Sequence, residues 1–190
     1  MGAGGHGRVL RDMVERSGDV FLGFLDDSAA GADILGKTAD AAQFPEAEFI
    51  IGIGDNAIRE KIAKMHPDLA YYTAVDPSAV ISPSAKIGKG TCIMPLSVVN
   101  AGAEIGDHVI LNTHSTIEHD VVTKNFVHIS PGAVILGGAK IGEGTHIGGG
   151  AVIRNYVSVS GGSVIGMGAA VTKNIEEAGV YGGVPARKIK

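Results

Sequence analysis

From Val75 onward the chain sets an aliphatic residue at every sixth position: Val75, Ile81, Ile87, Ile93, Val99, Ile105, Leu111 and Ile117, then Ile129, Ile135, Ile141, Ile147, Ile153, Val159, Ile165 and Val171. Thr123 is the one exception in these seventeen steps. Four residues after each comes a second restricted slot, nearly always small, as at Ala79, Ser97, Ser115, Ala133, Ala151 and Ser163. A helix repeats every 3.6 residues and cannot produce this register, whereas a hexapeptide period marks a parallel β-helix. Each hexapeptide predicts one short strand and one turn, and three of them close a triangular coil. Coils stack at the interstrand spacing of about 4.8 Å, so the series predicts a prism roughly 27 Å tall. Residues eighteen apart then lie above one another.

Before Val75 the pattern is α/β. Residues 8–17 carry Val9, Leu10, Met13 and Val14 on one helical stripe. Val20 to Leu25 and Glu48 to Ile53 read as buried strands, and a second helix runs from Asn56 to about Met65. Leu69 to Val75 links to the prism. Ahead of the first helix stands Gly2-Ala3-Gly4-Gly5-His6-Gly7, with Asp27 twenty residues after the last glycine. Such a turn cradles phosphate at a helix N-terminus. The motif should follow a strand but follows Met1, and about seventy residues are too few for a full dinucleotide fold. The expectation is a half-sized, Rossmann-like nucleotide-binding lobe without nicotinamide or flavin, whose first strand lies upstream or has been lost. The domains expected are 1–72, this α/β lobe, and 73–190, a β-helix with a C-terminal tail.

Composition fits a globular chain of one or two domains, with 190 residues of which 45% are hydrophobic. The 29 glycines are spread through turn slots such as Gly88, Gly106, Gly142, Gly148 and Gly166, unlike a low-complexity linker. A net charge of −4 offers no basic patch for nucleic acid. The single cysteine, Cys92, rules out an intramolecular disulfide and suits a reducing compartment. No signal peptide or membrane-length apolar run is evident, so a soluble cytoplasmic protein is expected.

Of seven histidines, His66 reads as a helix cap or solvent-facing, and His108 and His114 as surface residues in turn slots. His6, inside the glycine loop, is a candidate ligand to phosphate or sugar. His119 stands out. It lies two residues after the inward Ile117, on the outer surface near a corner, between Glu118 and Asp120. A carboxylate beside an outward imidazole orients it for general-base work. One coil on is Gly137, whose missing side chain leaves room and a free amide for a developing oxyanion. Ser115 is excluded as a nucleophile by its inward slot, which favours direct transfer over an acyl-enzyme. The His114 and His119 spacing resembles that of the β-helix carbonic anhydrases, but the third histidine that resemblance implies would fall at Ser78, so no metal is expected.

Taken together, the Gly-x-Gly-Gly-His-Gly lobe, Ile117-Glu118-His119-Asp120, Val127-His128-Ile129-Ser130-Pro131-Gly132 and the closing Gly182-Gly183-Val184-Pro185-Ala186-Arg187 resemble the sialic acid O-acetyltransferase (NeuD/PglD-like) family of hexapeptide-repeat sugar acetyltransferases. Members include N-acetyltransferases for UDP-linked 4-amino-4,6-dideoxy sugars and for GDP-perosamine. The resemblance covers essentially the whole chain. It implies a left-handed coil, His119 as general base with Asp120 as its partner, and His128 in contact with acetyl-CoA. It further implies that CoA runs along the later coils by Gly149 and Gly168 toward Pro185. Gly5, His6, Gly7, Asp26 and Asp27 would line the nucleotide-sugar pocket, and a homotrimer would carry its sites at the interfaces. The activity implied is acetyl transfer from acetyl-CoA to a nucleotide-linked amino sugar for bacterial surface glycans. Two alternatives stay open at this stage, an O-acetyltransferase for sialic acid or another sugar, and a non-catalytic β-helix scaffold.

Overall fold

A computed structural model describes residues 1–190. Helix α1 (Gly5–Arg16) is followed by strands β1 (Phe24–Leu25) and β2 (Ile34–Gly36), a 3-10 helix (Thr38–Gln43) and helix α2 (Asn56–Met65). α1 begins three residues earlier than the apolar stripe indicates, so Gly5 to Gly7 form its first turn. The first expected strand shrinks to Phe24–Leu25, and β2 and the 3-10 helix carry too little apolar periodicity to be seen in the sequence. Met1 and Gly2 fill the central strand position: the Gly2 N–H donates to the Leu25 carbonyl (2.8 Å) and the Gly52 N–H to the Met1 carbonyl (2.7 Å). α1 packs so closely on this strand that a Cβ at Gly7 would fall 2.0 Å from the Gly2 oxygen, which admits only glycine there.

Seventeen two-residue strands follow, and the second residue of each belongs to the six-residue series. They form three parallel sheets. The lobe face stacks Ala74–Val75, Cys92–Ile93, Ile110–Leu111, His128–Ile129, His146–Ile147 and Val164–Ile165. A second, apolar face stacks Val80–Ile81, Val98–Val99, Thr116–Ile117, Val134–Ile135, Val152–Ile153 and Ala170–Val171. The charged face stacks Lys86–Ile87, Glu104–Ile105, Val122–Thr123, Lys140–Ile141 and Ser158–Val159. Partners are eighteen residues apart, as Thr116 opposite Val134 illustrates. The aliphatic and small slots together make one core running the length of the prism. Thr123 is buried in its slot, and its hydroxyl accepts a hydrogen bond from the Gly106 N–H (3.3 Å), so the one polar residue of the series is satisfied. Ser115 is likewise fully buried and points inward.

The chain ends on Val180–Gly182, which extends the lobe face, and Arg187–Lys188, antiparallel to it. From Gly90 to Gly168 each corner turns through a residue in the left-handed region. Most are glycine, but Leu96, His108, His114, Asp120, Phe126 and Tyr156 also take positive φ there.

The lobe is seated on the lobe face and on the corner between it and the charged face. α1 contributes Leu10 and Met13 to a cluster with Ala74, Cys92, Met94 and Ile110. On the other side of the lobe sheet, Phe126 from the corner joins Leu25, Phe49, Ala63 and Tyr71. Arg59 on α2 is 1% exposed. Its guanidinium donates to the carbonyls of His108 (2.8 Å) and Phe126 (2.9 Å) on successive coils, to Ile53 (3.1 Å) and Gly54 (3.3 Å) in the lobe, and to Asn56 Oδ1 (2.8 Å). Asn56 Nδ2 reaches the next corner residue, Gly144, at its carbonyl (2.9 Å). Three consecutive corner carbonyls are thus read by one turn of α2. No helix is long and apolar enough to cross a membrane.

Candidate active site

His119 and Asp120 sit at the corner between the apolar and charged faces, which the lobe does not cover. The two side chains are exposed, with His119 Nδ1 2.9 Å from Asp120 Oδ2. If Nδ1 carries the proton and donates to the carboxylate, Nε2 is left with its lone pair free. Glu118 is not a second partner of the imidazole, since its carboxylate accepts from Asn100 Nδ2 (3.0 Å). Asp120 is one of the left-handed corner residues, with φ 59°, and it leans back one coil. A Cβ at Gly102 would fall 2.6 Å from its Oδ1. His119 leans forward instead, so that a Cβ at Gly137 would meet Nε2 at 2.5 Å. Gly137 is buried beneath the ring, yet its N–H makes no hydrogen bond within the chain. The N–H is thus open to an acceptor on a ligand or transition state; the same turn slot at Ala101 and Gly149 is also unbonded, and what sets Gly137 apart is its place beneath the imidazole.

His128 lies elsewhere, buried on the lobe face. The Thr113 N–H donates to Asn112 Oδ1 (2.8 Å), which turns Asn112 Nδ2 toward His128 Nε2 (3.1 Å). On its far side His128 Nδ1 is 3.2 Å from the Gly54 carbonyl. Both ring nitrogens are therefore engaged, with Nδ1 donating and Nε2 accepting, and the ring is neutral. Burial, and then the neighbouring His146, push its pKa down to about 3. Asn112 has no signal of its own in the repeat and was not identifiable from sequence. Gly149, Gly168 and Pro185 lie on the later coils; Gly149 is half-buried, while Gly168 and Pro185 are exposed. At Gly132, Gly150 and Gly168, stacked in the corner between lobe face and apolar face, an added Cβ would meet open space.

In the lobe, Gly5 is exposed in the first turn of α1, and a Cβ there would touch nothing closer than Arg8 at 4.0 Å. His6 is half-buried, its Nε2 3.9 Å from Cys92 Sγ, and burial followed by the charge of Arg59 lowers its pKa to about 4. Cys92 is buried, which pushes its thiol up to about 12. Gly7 is committed to helix packing. Asp26 accepts from the amides of Ala3 (2.7 Å), Ser28 (2.8 Å) and Ala29 (2.7 Å), which hold its carboxyl below the usual range. Asp27 accepts from the Thr38 amide (2.9 Å) and hydroxyl (2.8 Å). Asp26 thus ties the glycine loop to the end of β1.

His108 departs from the sequence expectation. It is buried, its ring stacked parallel on Phe126 (5.3 Å between centroids) and edge-on to Tyr71 (4.5 Å). The lobe covers its corner, which the repeat alone does not encode. His114 is exposed, and the His66 N–H caps the end of α2. No group of three or more His, Cys, Asp or Glu side chains is arranged to hold a metal ion.

Residues 1–66 match the PglD N-terminal domain, and residues 84–119 and 120–155 match the bacterial transferase hexapeptide family, described as six repeats. Among solved structures, the acetyltransferase domain of PglB from Neisseria gonorrhoeae, in complex with acetyl coenzyme A, is 36% identical with a TM-score of 0.96, covering 99% of this chain and 96% of that one. PerB from Caulobacter crescentus, in complex with CoA and GDP-perosamine, is 28% identical with a TM-score of 0.94, covering 100% and 95%. Among curated proteins, UDP-N-acetylbacillosamine N-acetyltransferase of Bacillus subtilis (strain 168) is 34% identical over 107 residues, 50% of this chain and 49% of that protein. A protein of Acanthamoeba polyphaga mimivirus is 33% identical over 96 residues. The chain spans about half the length of the first of these curated relatives and 20% of the second. With lobe, prism and near-complete coverage of a relative above 30% identity in agreement, the chain belongs to the PglD-like family of hexapeptide-repeat sugar acetyltransferases.

Proposed function

We propose that this chain transfers acetyl from acetyl-CoA to the amine of a nucleotide-linked 4-amino-4,6-dideoxy sugar, in the cytoplasm, for bacterial surface glycans. The observation that carries the reading is the exposed His119–Asp120 pair set against the unpartnered amide of Gly137. His119 Nε2 takes a proton from the sugar amine as its nitrogen attacks the thioester carbonyl. The tetrahedral oxyanion accepts a hydrogen bond from the Gly137 N–H. Collapse breaks the carbon–sulfur bond, the imidazolium returns its proton to the CoA thiolate, and the products are the N-acetyl sugar and free CoA. The named substrates of the relatives, a UDP-linked bacillosamine and GDP-perosamine, support an amine acceptor on a nucleotide. The glycine loop at the start of α1 suits the diphosphate of such an acceptor, with Gly5, His6, Asp26 and Asp27 around it.

The assembly we infer is a homotrimer. Outward residues of the apolar face are Val80, Val98, Thr116, Val134, Val152 and Ala170, whereas the charged face presents Lys86, Glu104 and Lys140. An uncovered apolar ladder favours contact with another copy. The lobe and the His119 corner occupy different sides of one prism, which supports an acceptor held by one copy meeting the base of the next, with CoA between them near His128, Gly149, Gly168 and Pro185.

The test is a thiol-release assay with acetyl-CoA against UDP-, GDP- and dTDP-linked amino sugars and free sialic acid. His119→Ala is expected to lower turnover with a nucleotide-linked amine roughly 10²- to 10⁴-fold without changing the fold. Efficient acetylation of sialic acid hydroxyls with no turnover of any nucleotide-linked amine, or a fully active His119→Ala chain, overturns it.

A further inference from the structure

His114 and His119 stand at opposite edges of one strand. The turn Thr113–His114 leads into Thr116–Ile117 on the apolar face and the turn His119–Asp120 leads out of it, with all four turn residues exposed. Unlike the rings of His119, His128 and His146, that of His114 has no hydrogen-bond partner in the chain. Its column reads Leu96, His114, Gly132, Gly150, Gly168, and a Cβ at any of the three glycines would meet open space. His114 is therefore the last side chain in that column, with an apolar leucine one coil before it and bare backbone after it. Its own lobe stands beside it. The outer face of α1, with Val9, Asp12, Glu15 and Arg16, borders this edge at Pro95, whose carbonyl accepts from the His114 N–H (2.9 Å).

We infer that His114 completes the acetyl-transfer site from across a subunit interface, where it binds the hydroxyl next to the reacting amine of the acceptor sugar. The inference rests on the reading of the His119 corner as the site of acetyl transfer and on the trimer. Three apolar faces ringed about an axis parallel to the stack bring the entering edge of one copy against the leaving edge of the next. Rotation about that axis leaves heights unchanged, so the two edges meet on the same coil. His114 then faces His119 of the partner subunit. A sugar whose nucleotide lies in the lobe beside His114, and whose amine lies at His119 of the partner subunit, must pass this imidazole. In a 4-amino-4,6-dideoxy sugar one neighbour of the amine-bearing carbon carries the methyl branch, and the other carries a hydroxyl. An uncharged imidazole offers one donor and one acceptor, the pair that a hydroxyl can use.

Steady-state kinetics of the full chain tests this. His114→Gly suits the left-handed turn and copies Gly132 one coil on, so the fold is kept. It is expected to raise the acceptor KM about tenfold, the scale of one hydrogen bond, with kcat and the acetyl-CoA KM nearly unchanged. An acceptor lacking that hydroxyl should cost the wild type the same factor and His114→Gly nothing further. Co-expression of His114→Gly with His119→Ala chains should restore a share of sites with the wild-type acceptor KM, because one mixed interface pairs an intact His114 with an intact His119. An unchanged acceptor KM in His114→Gly, or a further loss in that variant with the deoxygenated acceptor, overturns the role of the imidazole. No restoration in the mixed trimers overturns its place across the interface. Either result leaves acetyl transfer standing, whereas a wild-type chain that turns over no nucleotide-linked amine overturns that reading itself.

Discussion

Gly137 lies one coil above His119 and directly under its imidazole, at a distance where any Cβ would come to 2.5 Å from Nε2. Gly137→Ala therefore forces the ring away from its present position. Because the imidazole is exposed it can swing outward at little cost in stability, but the base loses its aim on the acceptor. Turnover is expected to fall roughly 10²-fold, as for a displacement of about 1 Å, with Tm nearly unchanged. Steady-state kinetics beside a thermal melt checks this, and retained turnover would show that the spacing is incidental.

Arg59 is the rivet between lobe and prism. Arg59→Met leaves the carbonyls of His108, Phe126 and Ile53 without their donor. At about 1–3 kcal/mol for each buried unpaired group, a loss of at least about 3 kcal/mol is expected. Denaturant unfolding is the measurement, and the lobe should melt before the prism in the variant. A single transition at the wild-type midpoint would contradict this account.

Acid should loosen the same junction. His6 and His108 have pKa values pushed down to about 4, and His128 to about 3, in each case chiefly by burial. Above the ordinary histidine value of about 6.5 both folded and unfolded chains carry these rings neutral, and pH has no leverage through them. Below it the unfolded chain takes protons that the folded chain refuses, so stability falls with pH down to about 4 and levels beneath. Each ring contributes at most about 1.4 kcal/mol per pH unit in that window. Unfolding midpoints at pH 7.5, 6 and 5 should decline in order, and His108→Phe should flatten the slope. A stability independent of pH between 7 and 5 would contradict the neutral assignment.

The apolar face offers a test of assembly. Val98→Lys together with Val134→Lys puts two charges in the middle of its ladder while leaving the inward Val99 and Ile135 untouched. Light scattering is expected to give the mass of three chains for wild type and of one for the variant, with activity lost and circular dichroism preserved. A monomeric and fully active wild type would refute the interface.

Within the prism, neighbours follow from counting. Each inward Ile or Val, the stacking of Gly137 on His119 and the burial of Ser115 follow from a register of eighteen and are legible in the sequence. The lobe junction is not. Nothing in the repeat says which face a second domain covers, so His108 reads as a surface turn residue, and nothing in the pattern singles out Arg59 or Asn112. A clue was present in the corner composition, since bulky His108 and Phe126 occupy slots that glycine fills elsewhere. The start of α1 at Gly5 departs from the apolar stripe for a different reason. Gly4 and Gly5 have poor helix propensity, and tight packing against the strand at Gly2 overrides it.

Because neighbours in the stack are eighteen residues apart, the prism can change in length without losing its chemistry only in whole coils. Gain or loss of one hexapeptide keeps every aliphatic slot filled and the prism closed, yet it turns all later residues by a third of a revolution. An indel of six ahead of Val98 would carry His119 onto another edge and bring charged strands beneath the lobe. An indel of eighteen past Tyr156 would leave the base, its carboxylate and the glycine shelf where they are. Descendants of such a chain are therefore expected to differ in prism length by quanta of eighteen, while the lobe varies freely by single residues.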